Sequence, residues 1–499
     1  MSYQLLSKTF YRLAQLDHAN AMLSWDQQVM MPPKSNKARG RAMAELSVLG
    51  AEILQAPDLA DAFAAASDRQ DLLADWQRAN LREMRLDWQR ACAIPKDLVA
   101  AEAMATNDCE HAWRQMRRDN NWHDFEPLLQ TVFDLAKEKA QALRGALQDE
   151  RGYSNDYDAL LDIFDPGTRM SRIDPVFAEL KTELPGLLQQ ITDRQNSQPA
   201  LIRQAQPVAK ARQIELAREL MRILGFDFSA GRLDEAGHPF SGGVSEDSRI
   251  TTRYDENNVI EGLMGIIHET GHARYEAGLP EAWRHQPVGR SMGMGVHESQ
   301  SLFFEMQLGR CKAFIDAIAP KIAQHLGQEP AFGADNMLRL YTHVEPGLIR
   351  VNADEVTYPL HVLLRYELER DLILGTARVQ DIPARWNQAM YGYLGLNTEG
   401  NYRDGPMQDI HWPSGAIGYF PSYTLGAMNA AQLHAALQVD IPNAPALIGA
   451  LDLEPIFSWL SSKVWQQGRS LGYDELMIQA TGETLNSAHF LAHIRGRYL

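Results

Sequence analysis

Apolar residues recur every three or four positions through most of the first 225 residues of this chain, the period of a helix with one buried face. Ser2 to Leu23 reads as an amphipathic helix, with Lys8, Arg12, Gln15 and Asp17 set among apolar positions. Phe125 to Leu147 and Ile173 to Ile191 carry the same pattern with Leu, Val, Phe and Ala. The clearest stops are Met31-Pro-Pro33, Pro95 and Asp165-Pro-Gly167. Between about 227 and 256 the pattern changes. Gly231, Gly237, Gly242 and Gly243 precede Ile250-Thr-Thr-Arg-Tyr254, where β-branched and aromatic residues gather, and this predicts a short β-ribbon. Helical periodicity resumes at Asn258 and runs to Leu499, with breaks expected at Pro280, Pro359, Pro383 and the Gly/Pro/Tyr-rich stretch 400–427.

No fixed-period repeat and no Pro/Gly/Ser-rich linker divides the chain, so the expectation is a mostly α fold with a small β-ribbon, organised as one domain over 1–499. With 499 residues and 45% apolar content, it can bury a large core unaided. A net charge of −16 argues against nucleic-acid or anionic-membrane partners. The basic run Arg114 to Arg118 has acidic neighbours and reads as a solvated helix face. Cys92, Cys109 and Cys311 are too scattered for a disulfide framework, which points to a reducing cytoplasm. The N-terminus lacks the features of a signal sequence, and no run of about 18 apolar residues suggests a membrane span.

The chemistry concentrates in Gly265-Ile-Ile-His-Glu-Thr-Gly-His-Ala-Arg-Tyr275, which contains His-Glu-x-x-His. Residues four apart share one helix face, so His268 and His272 can reach a single ion, while Glu269 is left free to act as a base on water. Gly271 is small enough to admit another helix. A catalytic zinc wants a third protein ligand and an open position. Downstream, His297-Glu-Ser-Gln-Ser-Leu-Phe-Phe-Glu305 begins a helix, and Glu298, expected in its first turn, is the chosen ligand. The rival explanation for Glu298 is simple attraction to a helix N-terminus. His297 is left out of the ligand set, and Glu276 and Glu305 are expected to support the ligands or the fold.

Several further segments, in order, resemble the carboxypeptidase Taq family of zinc metallocarboxypeptidases. They are Asp247-Ser-Arg249-Ile-Thr251, Ile349-Arg350-Val-Asn-Ala353-Asp354 and Gly405-Pro-Met-Gln408-Asp409-Ile-His411-Trp412. Trp25-Asp26 with Met30-Met-Pro32, His238-Pro-Phe240 and Gly418-Tyr-Phe-Pro-Ser-Tyr423 add to the likeness, which runs from about residue 3 to the C-terminus. Only Asp234 to His238 departs locally.

The resemblance implies a neurolysin-like helical body with a deep groove, acting as a homodimer, in which residues 1–225 cover the groove and 226–499 carry the catalytic residues. It implies removal of single amino acids from peptides with a free C-terminal carboxylate, with Zn2+ as the cofactor and Co2+ or Mn2+ as possible substitutes. A guanidinium fork suits recognition of a terminal carboxylate, and Arg350 is the matched candidate, with Asp354 as its rival or supporting partner four residues on. Asp247, Arg249 and Thr251 alternate, so on a strand they share one side, as a groove-lining ribbon requires. Gln408 joins them as a substrate-binding candidate. His411, Tyr419 and Tyr423, expected in the loop after 400, are candidates to stabilise the oxyanion or hold the substrate terminus, with aromatic packing as the alternative for both tyrosines. Two other readings stay open: an endo-acting oligopeptidase with the same metal centre, and a helical binding scaffold whose zinc is structural.

Overall fold

The computed structural model describes residues 2–237 and 239–499; His238 of the His-Pro-Phe triplet lies outside them. The predicted helical period is visible in what each helix buries. In Trp122–Arg151 the buried side chains are Phe125, Leu129, Val132, Phe133, Ala136, Ala140, Leu143 and Leu147, a stripe repeating every three or four residues. Asn121 caps this helix by accepting from the Asp124 amide, and Gly152, with φ of 61°, ends it. Met170–Asn196 keeps the same kind of face through Ile173, Phe177, Leu180, Leu184, Leu188 and Ile191 despite Pro175 and Pro185.

The first four helices, Ser2–Val29, Asn36–Leu54, Asp58–Ser67 and Asp75–Ala93, gather around a small core of their own that includes Leu6, Phe10, Leu59, Phe63, Leu81 and Met84. The main core extends from Cys109 to Tyr498. Polar contacts join the two, among them Arg90 with Asp162 and Arg290 with Asp87. Asn80 donates to Gln286 Oε1 at 2.9 Å, and Gln286 donates to the Ser7 carbonyl at 3.0 Å. The Trp76 and Trp283 rings stack at 5.7 Å.

The predicted ribbon is a three-stranded sheet in the order β1-β3-β2, formed by β1 (Gly231–Glu235), β2 (Phe240–Val244) and β3 (Asp247–Thr252). β2 and β3 form an antiparallel hairpin, and β1 joins β3 in parallel. The sheet packs on the helix Val259–Ala277, which carries the His-Glu-x-x-His motif. Helices start at three of the expected breaks. Pro359, Pro383 and Pro421 occupy the first turns of Tyr358–Ile373, Ile382–Leu394 and Pro421–Asp440, where a missing N–H costs nothing. Tyr423 therefore sits on a helix, not in the loop expected for it, whereas Tyr419 remains in the loop. Among the described residues no helix is long and apolar enough to cross a membrane.

Candidate active site

One turn of helix separates His268 from His272, and both turn their Nε2 atoms toward Glu298. His272 Nε2 lies 3.4 Å from Glu298 Oε2, and His268 Nε2 lies 4.0 Å from Oε1. One donor atom from each of the three residues falls within 4.8 Å of the other two. Tetrahedral zinc with bonds of about 2.1 Å needs donors about 3.4 Å apart, so a modest contraction would close the set on one ion.

Close approach of backbones makes this possible. A Cβ at Gly271 would meet Gln300 O and Ser301 Cα, each at 2.7 Å, and a Cβ at Gly426 would meet the Glu298 side chain at 2.7 Å. Glycine at these points lets the motif helix and Pro421–Asp440 press against the helix Met294–Leu302. That helix starts earlier than expected, so Glu298 is in its second turn, not its first. Attraction to the helix N-terminus therefore no longer accounts for Glu298, because that effect fades within the first turn.

The surroundings of the pair suit a cation. Past Leu302 the chain continues as a π-helical turn, Phe303–Gly309, a form frequent at functional sites. Glu305 in this turn places Oε2 2.8 Å from His268 Nδ1, and its other oxygen accepts from Arg310. Burial opposes a charge on Glu305, but Arg310 and His268 pull its carboxyl down to about 2. Burial would likewise strip the proton from His268, yet Glu305 and Glu298 carry it up to about 10. Glu269 is 8% exposed; burial, reinforced by Glu298, pushes it up to about 7 against the pull of His268. His272 goes the other way, down to about 4, through burial and the neighbouring His297. His297 stacks on His272 at 4.6 Å and bonds Glu276 Oε1 at 2.9 Å, which keeps both of these residues outside the ligand set. Glu298 and Glu305 thus hold a proton on His268, and a divalent ion would supply that positive charge in its place.

A second charged cluster lies beyond the tyrosines. Arg350 is 4% exposed. Its Nε and Nη2 donate to Asp409 Oδ1 at 3.1 and 2.9 Å, and its Nη1 donates to the Tyr358 hydroxyl at 3.0 Å. Asp354, the expected partner, is elsewhere. Arg350 belongs to a single 3-10 turn, Arg350–Asn352, after which Asp354 accepts from the amides of Val356, Thr357 and Glu345. Asp409 also pairs with Arg365, and the two guanidiniums hold its carboxyl far below the usual range despite burial. Tyr358 and Tyr423 each lie within electrostatic reach of both Glu298 and Arg350, so they stand near both clusters. His411 Nε2 lies 2.9 Å from the Tyr423 hydroxyl, and burial with the nearby Arg350 drives this imidazole down to about 3, leaving it neutral. Tyr419 lies 5.2 Å from the Tyr423 ring and packs edge-on to Phe164 at 5.1 Å.

Two expected substrate contacts need correction. Thr251 is fully buried, and its hydroxyl bridges to the Phe240 amide at 2.9 Å, so it works within the sheet. Gln408 accepts from the Arg350 amide at 2.8 Å and donates to the carbonyls of Leu348, Asp404 and Gly405, so it ties two loops together. Asp247 and Arg249 stay half-buried, paired with each other at 2.5 Å, with Arg249 5.9 Å from the Trp25 ring. Asp165 stood out in sequence only as a helix stop. It accepts from the Gly295 amide at 2.6 Å and the Ser422 hydroxyl at 2.5 Å, tying the N-terminal half to both helices that carry Glu298 and Tyr423. Tyr358 and Arg365 had no sequence signal either, since each depends on residues distant in the chain, whereas Glu305, expected to support the ligands or the fold, contacts His268.

Known proteins agree with this geometry over its full length. A thermostable carboxypeptidase 1 of Thermus thermophilus is 36% identical over 505 aligned residues, covering 100% of this chain and 98% of its own. The structure of metallocarboxypeptidase 1 of Trypanosoma cruzi superposes with a TM-score of 0.97 at 40% identity, covering 100% of this chain and 99% of the other. A Pyrococcus furiosus carboxypeptidase structure gives a TM-score of 0.95 at 30% identity, with 100% and 99% covered. The family described as Carboxypeptidase Taq (M32) metallopeptidase matches residues 5–498, and the chain belongs to it: this protein is a metallocarboxypeptidase, a peptide hydrolase with a mostly helical fold.

Proposed function

We propose that the enzyme releases single amino acids from peptides bearing a free C-terminal carboxylate, using zinc held by His268, His272 and Glu298, with Co2+ or Mn2+ able to substitute. The observation that carries this reading is that two guanidiniums, Arg350 and Arg365, share one carboxylate, Asp409, while Tyr358 and Tyr423 interact electrostatically with both Arg350 and Glu298. Buried charge left over in this way favours an incoming anion. A terminal carboxylate on Arg350 puts the last peptide bond near the metal ligands and excludes a chain that continues.

When bound, the ion supplies Lewis acidity. Glu269, poised near neutrality by burial, takes a proton from the attacking water and passes it to the leaving amine. A neutral His411 that donates from Nε2 to the Tyr423 oxygen leaves the tyrosine's own hydrogen free for the oxygen that gains charge at the scissile carbon. Tyr419 flanks this donor, and Tyr358 steadies Arg350. Asp247 and Arg249 line the approach beside Trp25. The free Cys92, Cys109 and Cys311 support a cytoplasmic setting. A homodimer follows from the family resemblance, and sedimentation of the purified chain tests it.

The functional test incubates the protein with an unmodified peptide, with and without a chelator, and follows products by mass. A ladder shortening from the C-terminus only when metal is present is expected. Cleavage in the middle of a C-terminally amidated peptide would overturn the proposal.

A further inference from the structure

We propose that Arg365, which lies too deep to touch substrate, is a positioning residue for the carboxylate receptor: through Asp409 it sets the direction in which Arg350 presents its free N–H groups. The inference rests on the reading of Arg350 given above.

Arg365 is fully buried on the helix Tyr358–Ile373, two turns after Tyr358. Its guanidinium lies 4.5 Å from the Trp386 ring centre and 5.3 Å from that of Phe420, and Nη1 donates to the His361 carbonyl at 2.7 Å. Packing and backbone therefore fix the group before it meets its ion partner. From this position Nε and Nη2 reach Asp409 Oδ2 at 2.7 and 2.6 Å. Only Oδ1 remains for Arg350, which meets it with Nε and Nη2.

That division of the carboxylate has a consequence for ligand binding. Alone with one guanidinium, a carboxylate settles into a two-pronged pair that consumes both oxygens and two parallel N–H groups. Because Arg365 occupies Oδ2, Asp409 cannot turn to pair symmetrically with Arg350. An arginine has five N–H donors. Asp409 and Tyr358 take three of them, and one is left on each terminal nitrogen of Arg350. These two are the donors available to the two oxygens of a terminal carboxylate.

Arg365 also supplies the charge that a simple Arg350–Asp409 pair would lack. Glu369, one turn further along the helix, makes no ion pair with Arg365 among the described residues. It accepts instead from the Tyr157 hydroxyl at 2.7 Å, Trp412 Nε1 at 2.7 Å and the Gly418 amide at 2.9 Å. The other group aimed at the cluster, His361, is neutral, driven down to about 3 by burial and the two arginines.

The test replaces Arg365 by Lys, which keeps the charge but lacks the planar guanidinium whose Nε donates to Asp409 Oδ2 while Nη1 holds the His361 carbonyl. Two readouts are taken on the metal-loaded enzyme: steady-state cleavage of an N-blocked dipeptide, and calorimetric binding of L-phenylalanine as a free-acid probe. We expect R365K to raise KM for the dipeptide, and Kd for phenylalanine, about tenfold, with kcat within about threefold of the parent. Binding of phenylalaninamide should be unchanged.

If R365K does not fold, Trp386→Leu removes the ring beneath Arg365 while keeping every charge, and the same selective loss of free-acid binding is expected. Loss of kcat at unchanged KM, equal loss on acid and amide, or parental affinity for phenylalanine would each overturn the proposal. Arg350→Ala separates this inference from the reading beneath it. If that variant binds phenylalanine normally, the role of Arg350 fails; if it does not, yet R365K binds like the parent, only the positioning role fails.

Discussion

The two charged clusters near Tyr358 and Tyr423, one around His268 and His272 and one around Asp409, differ in which charge prevails. Around His268 and His272, the carboxylates Glu269, Glu298 and Glu305 outnumber the single guanidinium of Arg310. Around Asp409, two guanidiniums share one carboxylate. In both, most charges are paired internally and a remainder is left facing the centre. A buried remainder costs free energy until a ligand of opposite sign arrives, so each cluster is completed by what it binds. The metal cluster wants a cation and the arginine cluster an anion. In the proposed reading, a peptide terminus that satisfies the second lays its last amide against the first, and the difference in sign does the work of discrimination.

This contrast can be broken from either side. The largest effect is expected from Glu269→Gln. It should keep its metal by elemental analysis and lose turnover by about 10³-fold, because a general base is gone while the ligands remain. Near-normal turnover would remove Glu269 from the mechanism.

Asp409→Asn leaves two buried guanidiniums without their counter-ion and should lower stability at pH 7 by about 3–5 kcal/mol in urea unfolding. Its pH dependence has a defined sign. Asp409 has a folded pKa far below its unfolded value of about 3.9, so its contribution is present above that value and is lost as pH falls toward the folded one. The gap between parent and variant should thus narrow at pH 3; a gap that widens there contradicts the assignment.

Arg350→Ala should cut kcat/KM on free-acid peptides about 10²-fold and affect amidated peptides far less. Equal loss on both would show that the arginine cluster does not read the terminus. Smallest is Glu305→Gln. Weakening the support behind His268 Nδ1 should lower metal affinity by about 10- to 100-fold, measured by competition with a chelator. Unchanged affinity would make Glu305 a partner of Arg310 only.

Legibility in the sequence followed the distance over which each feature acts. His268 and His272 could be paired from sequence because the helix repeat alone puts them on one face. Gly271 was legible for a related reason: the missing side chain marks a place where another backbone comes close, here Gln300 and Ser301. For Arg350 the sequence suggested Asp354 as partner, and the structure gives Asp409 instead. Helical spacing would join Arg350 to Asp354, yet the chain leaves helical geometry after Asn352, and Asp354 turns to the amides that open the next helix. The breaks expected around Pro359, Pro383 and 400–427 are present, and Pro359, Pro383 and Pro421 each sit in the first turn of the helix that follows.

The sequence by itself determined the helical period, the position of the sheet, the two imidazoles and the free carboxylate beside them, because these depend on residues within a few positions of one another. Only the tertiary structure decided that Glu298 meets those imidazoles, that Glu305 backs one of them from a π-helical turn, and that Asp409 is divided between Arg350 and Arg365. The reason is physical. A charge selects its partner by what burial brings within reach, and which helices are pressed together is settled by the packing of the whole core, not by the spacing of residues along any one of them.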